Sequence, residues 1–119
     1  MPPQMYESAE ACIIDCTDCH GMCVETVDHC LQMGGEHAAP DHIRVLLDCA
    51  EICQTAADFM LAGSDFQVRT CELCAEICER CAEDCTRFTD DPDMELCAET
   101  CRRCAQSCRE MAGAHRQAA

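Results

Sequence analysis

The stretch CELCAEICERCAEDC, residues 71–85, places cysteine at 71, 74, 78, 81 and 85, in steps of three, four, three and four. Residues three and four apart share one face of an α-helix. This stretch therefore reads as a helix whose inward stripe is built from thiols, where a bundle would carry leucine. Glu72, Glu76, Glu79 and Glu83 fall between the cysteines on outward positions and read as a solvated face. The same spacing recurs elsewhere: Cys12, Cys16, Cys19, Cys23 and Cys30; Cys49 and Cys53; Cys97, Cys101, Cys104 and Cys108. The chain has sixteen cysteines in 119 residues.

Helix boundaries follow from the punctuation. The first helix is expected from about Met5 to Met33, stopping at Gly34-Gly35. Pro40 and Asp41 suit the first turn of a second helix, at about 40–62, before Gly63. Ser64 and Gln67 form a capping-box pattern opening a third, at about 65–88. Asp91 is expected to cap a fourth, at about 92–112, with Pro92 at its first position and Gly113 near its end. Short connections between long helices favour an all-α, antiparallel up-down four-helix bundle, one domain over 1–119, with a cysteine-lined core.

Extending each stripe in steps of three and four sets what meets at the bundle ends. With alternating helix directions, Met5, Met60, Met111 and His115 are expected at one end. Met33, His42, Phe88 and Met94 are expected at the other. Thioether sulfur is a soft donor, so the first group reads either as a mouth handing a soft metal ion inward or as flexible packing. His42 is a candidate end ligand near Cys30, Cys85 and Cys97, and His20 a weaker one beside the stripe. His29 and His37 read as surface or loop residues.

Composition narrows the chemistry. The formal charge of −15, with eight basic residues, all arginine, argues against nucleic acid and anionic membranes as partners. No apolar run is long enough to span a bilayer. The N-terminus MPPQMYESAEAC carries no basic patch followed by an apolar stretch, so a cytoplasmic location is expected. A disulfide scaffold would be loop-rich, whereas the five Gly and four Pro here fall mostly between helical stretches. An inert core of small thiols would bury less apolar area than leucine and give up stability unless something fills it.

The cysteines divide into seven C-x-x-x-C pairs: Cys12/Cys16, Cys19/Cys23, Cys49/Cys53, Cys74/Cys78, Cys81/Cys85, Cys97/Cys101 and Cys104/Cys108, leaving Cys30 and Cys71. Two sulfurs one helical turn apart can share one ion, and coordination by two or three thiolates suits soft Cu(I). Zinc prefers four tetrahedral ligands, commonly on turns, and the second helix supplies only two cysteines. Ferredoxin spacing and the Glu-x-x-His pairs of di-iron bundles are absent from the sequence. Copper(I) is the first choice and zinc the weaker tenant. A thiol redox sensor is the rival from another class, but thioredoxin-like C-x-x-C motifs need a βαβ context that this helical pattern lacks. No Ser-His-Asp arrangement or phosphate loop suggests an enzyme.

With CTDCHGMC, CELCAEICERCAEDC and CAETCRRCAQSC in view, the chain resembles the cysteine-lined four-helix-bundle copper storage proteins, in their cytosolic branch. The resemblance runs from Cys12 to His115 and departs on the second helix, where Leu46, Ala56 and Met60 occupy the stripe. It implies storage of many Cu(I) ions per chain on core thiolates, largely as C-x-x-x-C pairs, and a homotetramer. Metal-free thiols should be mostly protonated, so each bound Cu(I) displaces protons. A copper chaperone or a low-molecular-weight thiol is the expected donor.

Overall fold

The computed structural model describes residues 3–118, and the side chains of residues 7–116. Four α-helices follow one another: α1 (Pro3–Met33), α2 (Pro40–Ala62), α3 (Gln67–Cys85) and α4 (Pro92–Ala118). A short 3₁₀ turn, Gly35–Ala38, bridges α1 and α2. Each helix packs against its two sequence-cyclic neighbours, α1 on α2 and α4, and α3 on α2 and α4. That is an up-down bundle, drawn out to 48 × 21 × 17 Å. Among the described residues there is no strand.

The turns obey local chemistry. Gly34 and Gly35 both take positive φ, 70° and 56°, which reverses the chain within two residues and would strain any side chain with a Cβ. Gly63 closes α2 in the left-handed conformation, and the Ser64 N–H reaches back to the Phe59 carbonyl. That pairing is the Schellman pattern. It takes Ser64 out of the capping role expected for it. Ser64 Oγ accepts instead from the Phe66 N–H, and α3 begins later than expected, at Gln67. Asp91 acts as the expected cap, its Oδ1 accepting from the N–H groups of Asp93 and Met94.

Two ends differ from expectation. α3 stops at Cys85 and tightens into turns, which leaves Phe88 free to fold back between His37 and His42. α4 runs through Gly113, where added bulk would meet nothing, and continues to Ala118.

All sixteen cysteines are buried and free. Beside them lies a second stripe of small residues: Ala50 and Ala57 on α2, Ala75 and Ala82 on α3, Ala98, Ala105 and Ala112 on α4, all buried. They repeat every seven residues, each directly after a core-facing position. Without long side chains at these positions the helices can sit close, which keeps sulfurs on facing helices within contact. Larger apolar side chains are rare in the core; Leu46 and Met94 are among the few fully buried. Where the α1 stripe skips a cysteine, Thr26 fills the position and returns its hydroxyl to the Met22 carbonyl.

Candidate metal centre

The helical period sets which residues face inward, and the bundle then brings sulfurs from different helices together. Along one side, Cys12 Sγ lies 3.8 Å from Cys16 Sγ and 3.5 Å from Cys108 Sγ, while Cys104 Sγ lies 3.5 Å from Cys16 Sγ. In the middle, Cys53 is within 3.6–3.8 Å of Cys74, Cys78 and Cys104, and Cys49 is 3.7–3.9 Å from Cys19, Cys78 and Cys101. Only some of these contacts fall within a C-x-x-x-C pair; most join two helices.

Sets of sulfurs lying mutually within 4.8 Å can be read as metal cages. They include Cys16, Cys74, Cys104 and Cys108; Cys19, Cys53, Cys78 and Cys104; Cys19, Cys23, Cys49 and Cys101; Cys23, Cys81, Cys97 and Cys101; and the trio Cys12, Cys71 and Cys108. A metal–sulfur bond of about 2.3 Å puts two ligands about 3.8 Å apart in a tetrahedron, about 4.0 Å in a trigonal plane and about 4.6 Å in a line. The observed spacings suit all three geometries with small side-chain adjustments. The sharing is more telling than the spacing. Cys19, Cys23, Cys101, Cys104 and Cys108 each belong to two sets. Separate tetrahedral sites would not share ligands in this way, whereas thiolates bridging successive soft ions would.

Protons occupy most of the thiols when metal does not. Burial, followed by the neighbouring charge of Cys97, pushes the Cys30 thiol up to about 11. Hydrogen bonds with Cys101 and Cys19 push Cys23 up, and those with Cys104, Cys12 and Cys16 push Cys108 up. Cys16 and Cys71 move the other way. Donation from Cys104 and Cys108 lowers Cys16 to about 6, and donation from Cys108 and Cys12 lowers Cys71 to about 5. A row of touching thiols can thus hold a few thiolates, each solvated by protonated neighbours.

One end of the ladder changes chemistry. Cys30 Sγ lies 3.3 Å from His42 Nε2 and 3.6 Å from Met94 Sδ, all three buried. The other nitrogen of His42, Nδ1, is 2.5 Å from Asp84 Oδ2 on α3. A carboxylate on Nδ1–H fixes the ring so that the Nε2 lone pair faces the sulfurs, the usual support for a ligating histidine. Phe88 packs on this ring, with centroids 4.7 Å apart. Met33, expected in this group, is 57% exposed. Cys30 already packs on the first turn of α4, so a residue one turn farther along α1 has no helix opposite it.

At the opposite end Met60 and Met111 are buried above Cys12, Cys71 and Cys108, and His115 is half-buried one turn beyond Met111. The side chain of Met5 lies outside the described residues. His20 uses Nδ1 on the Ala50 carbonyl, a strut between α1 and α2 rather than a ligand. Met94, expected at the His42 end, is there beside Cys30. The sequence reading passed over Asp84 as the partner of His42, and Asp91 as the meeting point of His29 and His37. The aspartates carried no signal, because their partners lie 42 to 62 residues away.

Residues 5–113 match the copper storage protein family. No curated protein matches the chain at a significant level. Among solved structures, the Nmul_A1745 protein from Nitrosospira multiformis is 45% identical, with 91% of this chain and 97% of that one covered, at a TM-score of 0.85. The Cu(I)-bound copper storage protein BsCsp3, of Bacillus subtilis, is 38% identical over 88% of this chain and 98% of its own, at 0.83. A cytosolic copper storage protein from Streptomyces lividans carrying five coppers is 29% identical over 92% and 95%, also at 0.83. With its thiol ladder and a match over nearly its whole length, this chain belongs to the copper storage protein family.

Proposed function

We propose that this protein stores Cu(I), taking many ions per chain into the interior of the bundle and holding them on the sixteen core cysteines. The observation that carries the reading is the overlap of the thiol sets, in which one sulfur serves two neighbouring positions. C-x-x-x-C pairs supply the sulfurs along each helix, and contacts between helices link them into clusters. Cys30 and His42, with Met94 beside them, end the ladder as a mixed sulfur and nitrogen site. Met60 and Met111, with His115 beyond them, form the mouth at the other end, above Cys12, Cys71 and Cys108, which meet incoming ions first.

Storage rather than catalysis fits the match to the copper storage protein family. The similarity to a cytosolic protein of Streptomyces lividans supports a cytoplasmic location. Copper then arrives from a chaperone or a low-molecular-weight thiol. Exposed Leu61, Phe66 and Leu73 support burial of an outer face in a homotetramer, which light scattering after size exclusion would measure.

The deciding experiment is an anaerobic titration of reduced protein with Cu(I) against a chromophoric Cu(I) chelator, after counting free thiols. Tight uptake of many ions, at least one per thiol pair, supports the store. Saturation at one or two ions refutes it.

A further inference from the structure

Outside the thiol core, one end of the bundle holds a cluster to which copper storage assigns no role. His29, near the end of α1, and His37, in the 3₁₀ turn, each place Nε2 2.9 Å from the same atom, Asp91 Oδ2. The other nitrogen of His29, Nδ1, lies 3.1 Å from Asp93 Oδ2. These side chains come from separate parts of the chain. Gly34 and Gly35 fold the turn back over the bundle end, and the capping bonds to Asp91 Oδ1 aim its second oxygen at both rings. His29, His37 and Asp91 are mostly covered, at 24%, 17% and 12% exposed, and Asp93 at the rim is 65% exposed.

A neutral imidazole carries one N–H and one lone pair. His29 has a carboxylate oxygen against each nitrogen, so a neutral ring leaves one lone pair facing a carboxylate. Either the ring carries a second proton or a cation sits on Nε2. With a cation there, Nδ1–H donates to Asp93, the arrangement that orients metal-bound histidines. His37 Nε2 and Asp91 Oδ2 then complete a face of two histidines and one carboxylate. Bonds of about 2.1 Å place such ligand atoms about 3.0–3.4 Å apart, and each observed Nε2–Oδ2 distance needs little change to reach that. Phe88 lies between this cluster and His42, its ring tilted against both imidazoles with centroids 4.3 Å from His37 and 4.7 Å from His42.

We propose that His29, His37 and Asp91, with Asp93 orienting His29, bind one divalent first-row metal ion apart from the thiol store. Imidazole and carboxylate are harder donors than thiolate, so Cu(I) partitions to the core and a divalent ion to this face. The ion ties the 3₁₀ turn to the start of α4.

The test begins with protein saturated anaerobically with Cu(I), because free core thiols would compete for the probe ion, Zn(II). Zn(II) is then titrated against a fluorescent zinc indicator while imidazole ¹⁵N resonances are recorded. One Zn(II) per chain is expected, shifting the Nε2 signals of His29 and His37 and leaving His42 unmoved. His37→Ala should weaken this binding at least tenfold while Cu(I) capacity is unchanged, and Asp93→Asn should weaken it about 10- to 100-fold. Zn(II) uptake equal in wild type and H37A, or uptake that leaves both imidazoles unshifted, overturns the proposal.

Discussion

Shared ligands make a quantitative claim about Cys104. Its sulfur belongs to two of the sets that span the core, one with Cys16, Cys74 and Cys108 and one with Cys19, Cys53 and Cys78. Cys71 belongs to the trio with Cys12 and Cys108. Of these five sets, Cys104→Ala removes a ligand from two and Cys71→Ala from one. Copper capacity should therefore fall about twice as far in C104A as in C71A. Alanine is the right replacement. It leaves a void of about 20 Å³, and with the lost transfer energy this costs about 1 kcal/mol of metal-free stability. Serine would bury a hydroxyl needing a partner, at about 1–3 kcal/mol. A loss of about 1 kcal/mol lowers the Tm of a chain this size by about 5 °C, so both variants should remain folded for titration. The assay is the chelator competition on reduced protein, with circular dichroism confirming equal helicity. If C104A and C71A lose the same number of ions, the ladder of bridging thiolates is wrong; if C104A loses ions and C71A none, the sulfurs act as independent C-x-x-x-C pairs.

Metal binds the folded state and crosslinks its helices, so Cu(I)-loaded protein should melt well above the metal-free form; equal Tm values in calorimetry would refute that coupling. His42→Ala should remove copper from the Cys30 end alone, and Asp84→Asn should weaken the same site about 10- to 100-fold by freeing the ring to turn, both read by Cu(I) titration at low free metal. If D84N binds as wild type does, the carboxylate has no orienting role. Metal-free stability should fall in alkali. Cys30 is raised from 9.0 to about 11 in the folded state, so its contribution is whole below pH 9 and disappears as pH climbs toward 11. Urea midpoints that hold constant from pH 8 to 11 would contradict this. Met111→Leu keeps the packing volume and removes the thioether, so stopped-flow loading should slow while capacity stays the same; unchanged rates would make Met111 a plug.

How much of this could be read beforehand follows from what a helical period determines. Spacing of three and four residues decides which side of a helix a side chain takes, so Cys49, Cys78 and Cys101 were all legible as core residues. It does not decide the height of one helix against its neighbour, and that height is what brings Cys49 Sγ to within 3.7 Å of Cys78 and 3.9 Å of Cys101. The shared sets were invisible for that reason. Turns set the relative heights, and turn chemistry was read correctly at Gly63 and Asp91 but not at Ser64, where the glycine turn claims the residue first. The polar attachments were less legible still. Asp84 sits on an outward-leaning position of α3 and looks like any other acid of a chain with twenty-three. It becomes particular only because α3 ends one residue later, at Cys85, and α2 presents His42 across from it. Function in this protein therefore has two kinds of address. The thiol stripes are written into local periodicity, but the shared sets that join them need the helices at the right heights. The ends, where His42 meets Asp84 and where His29 and His37 meet Asp91, exist only once the turns have set four helices at their proper heights. Changing the Gly34-Gly35 turn should therefore disturb the histidine sites and, by shifting α1 against α2 where Cys19 meets Cys49, lower copper capacity in the same Cu(I) titration.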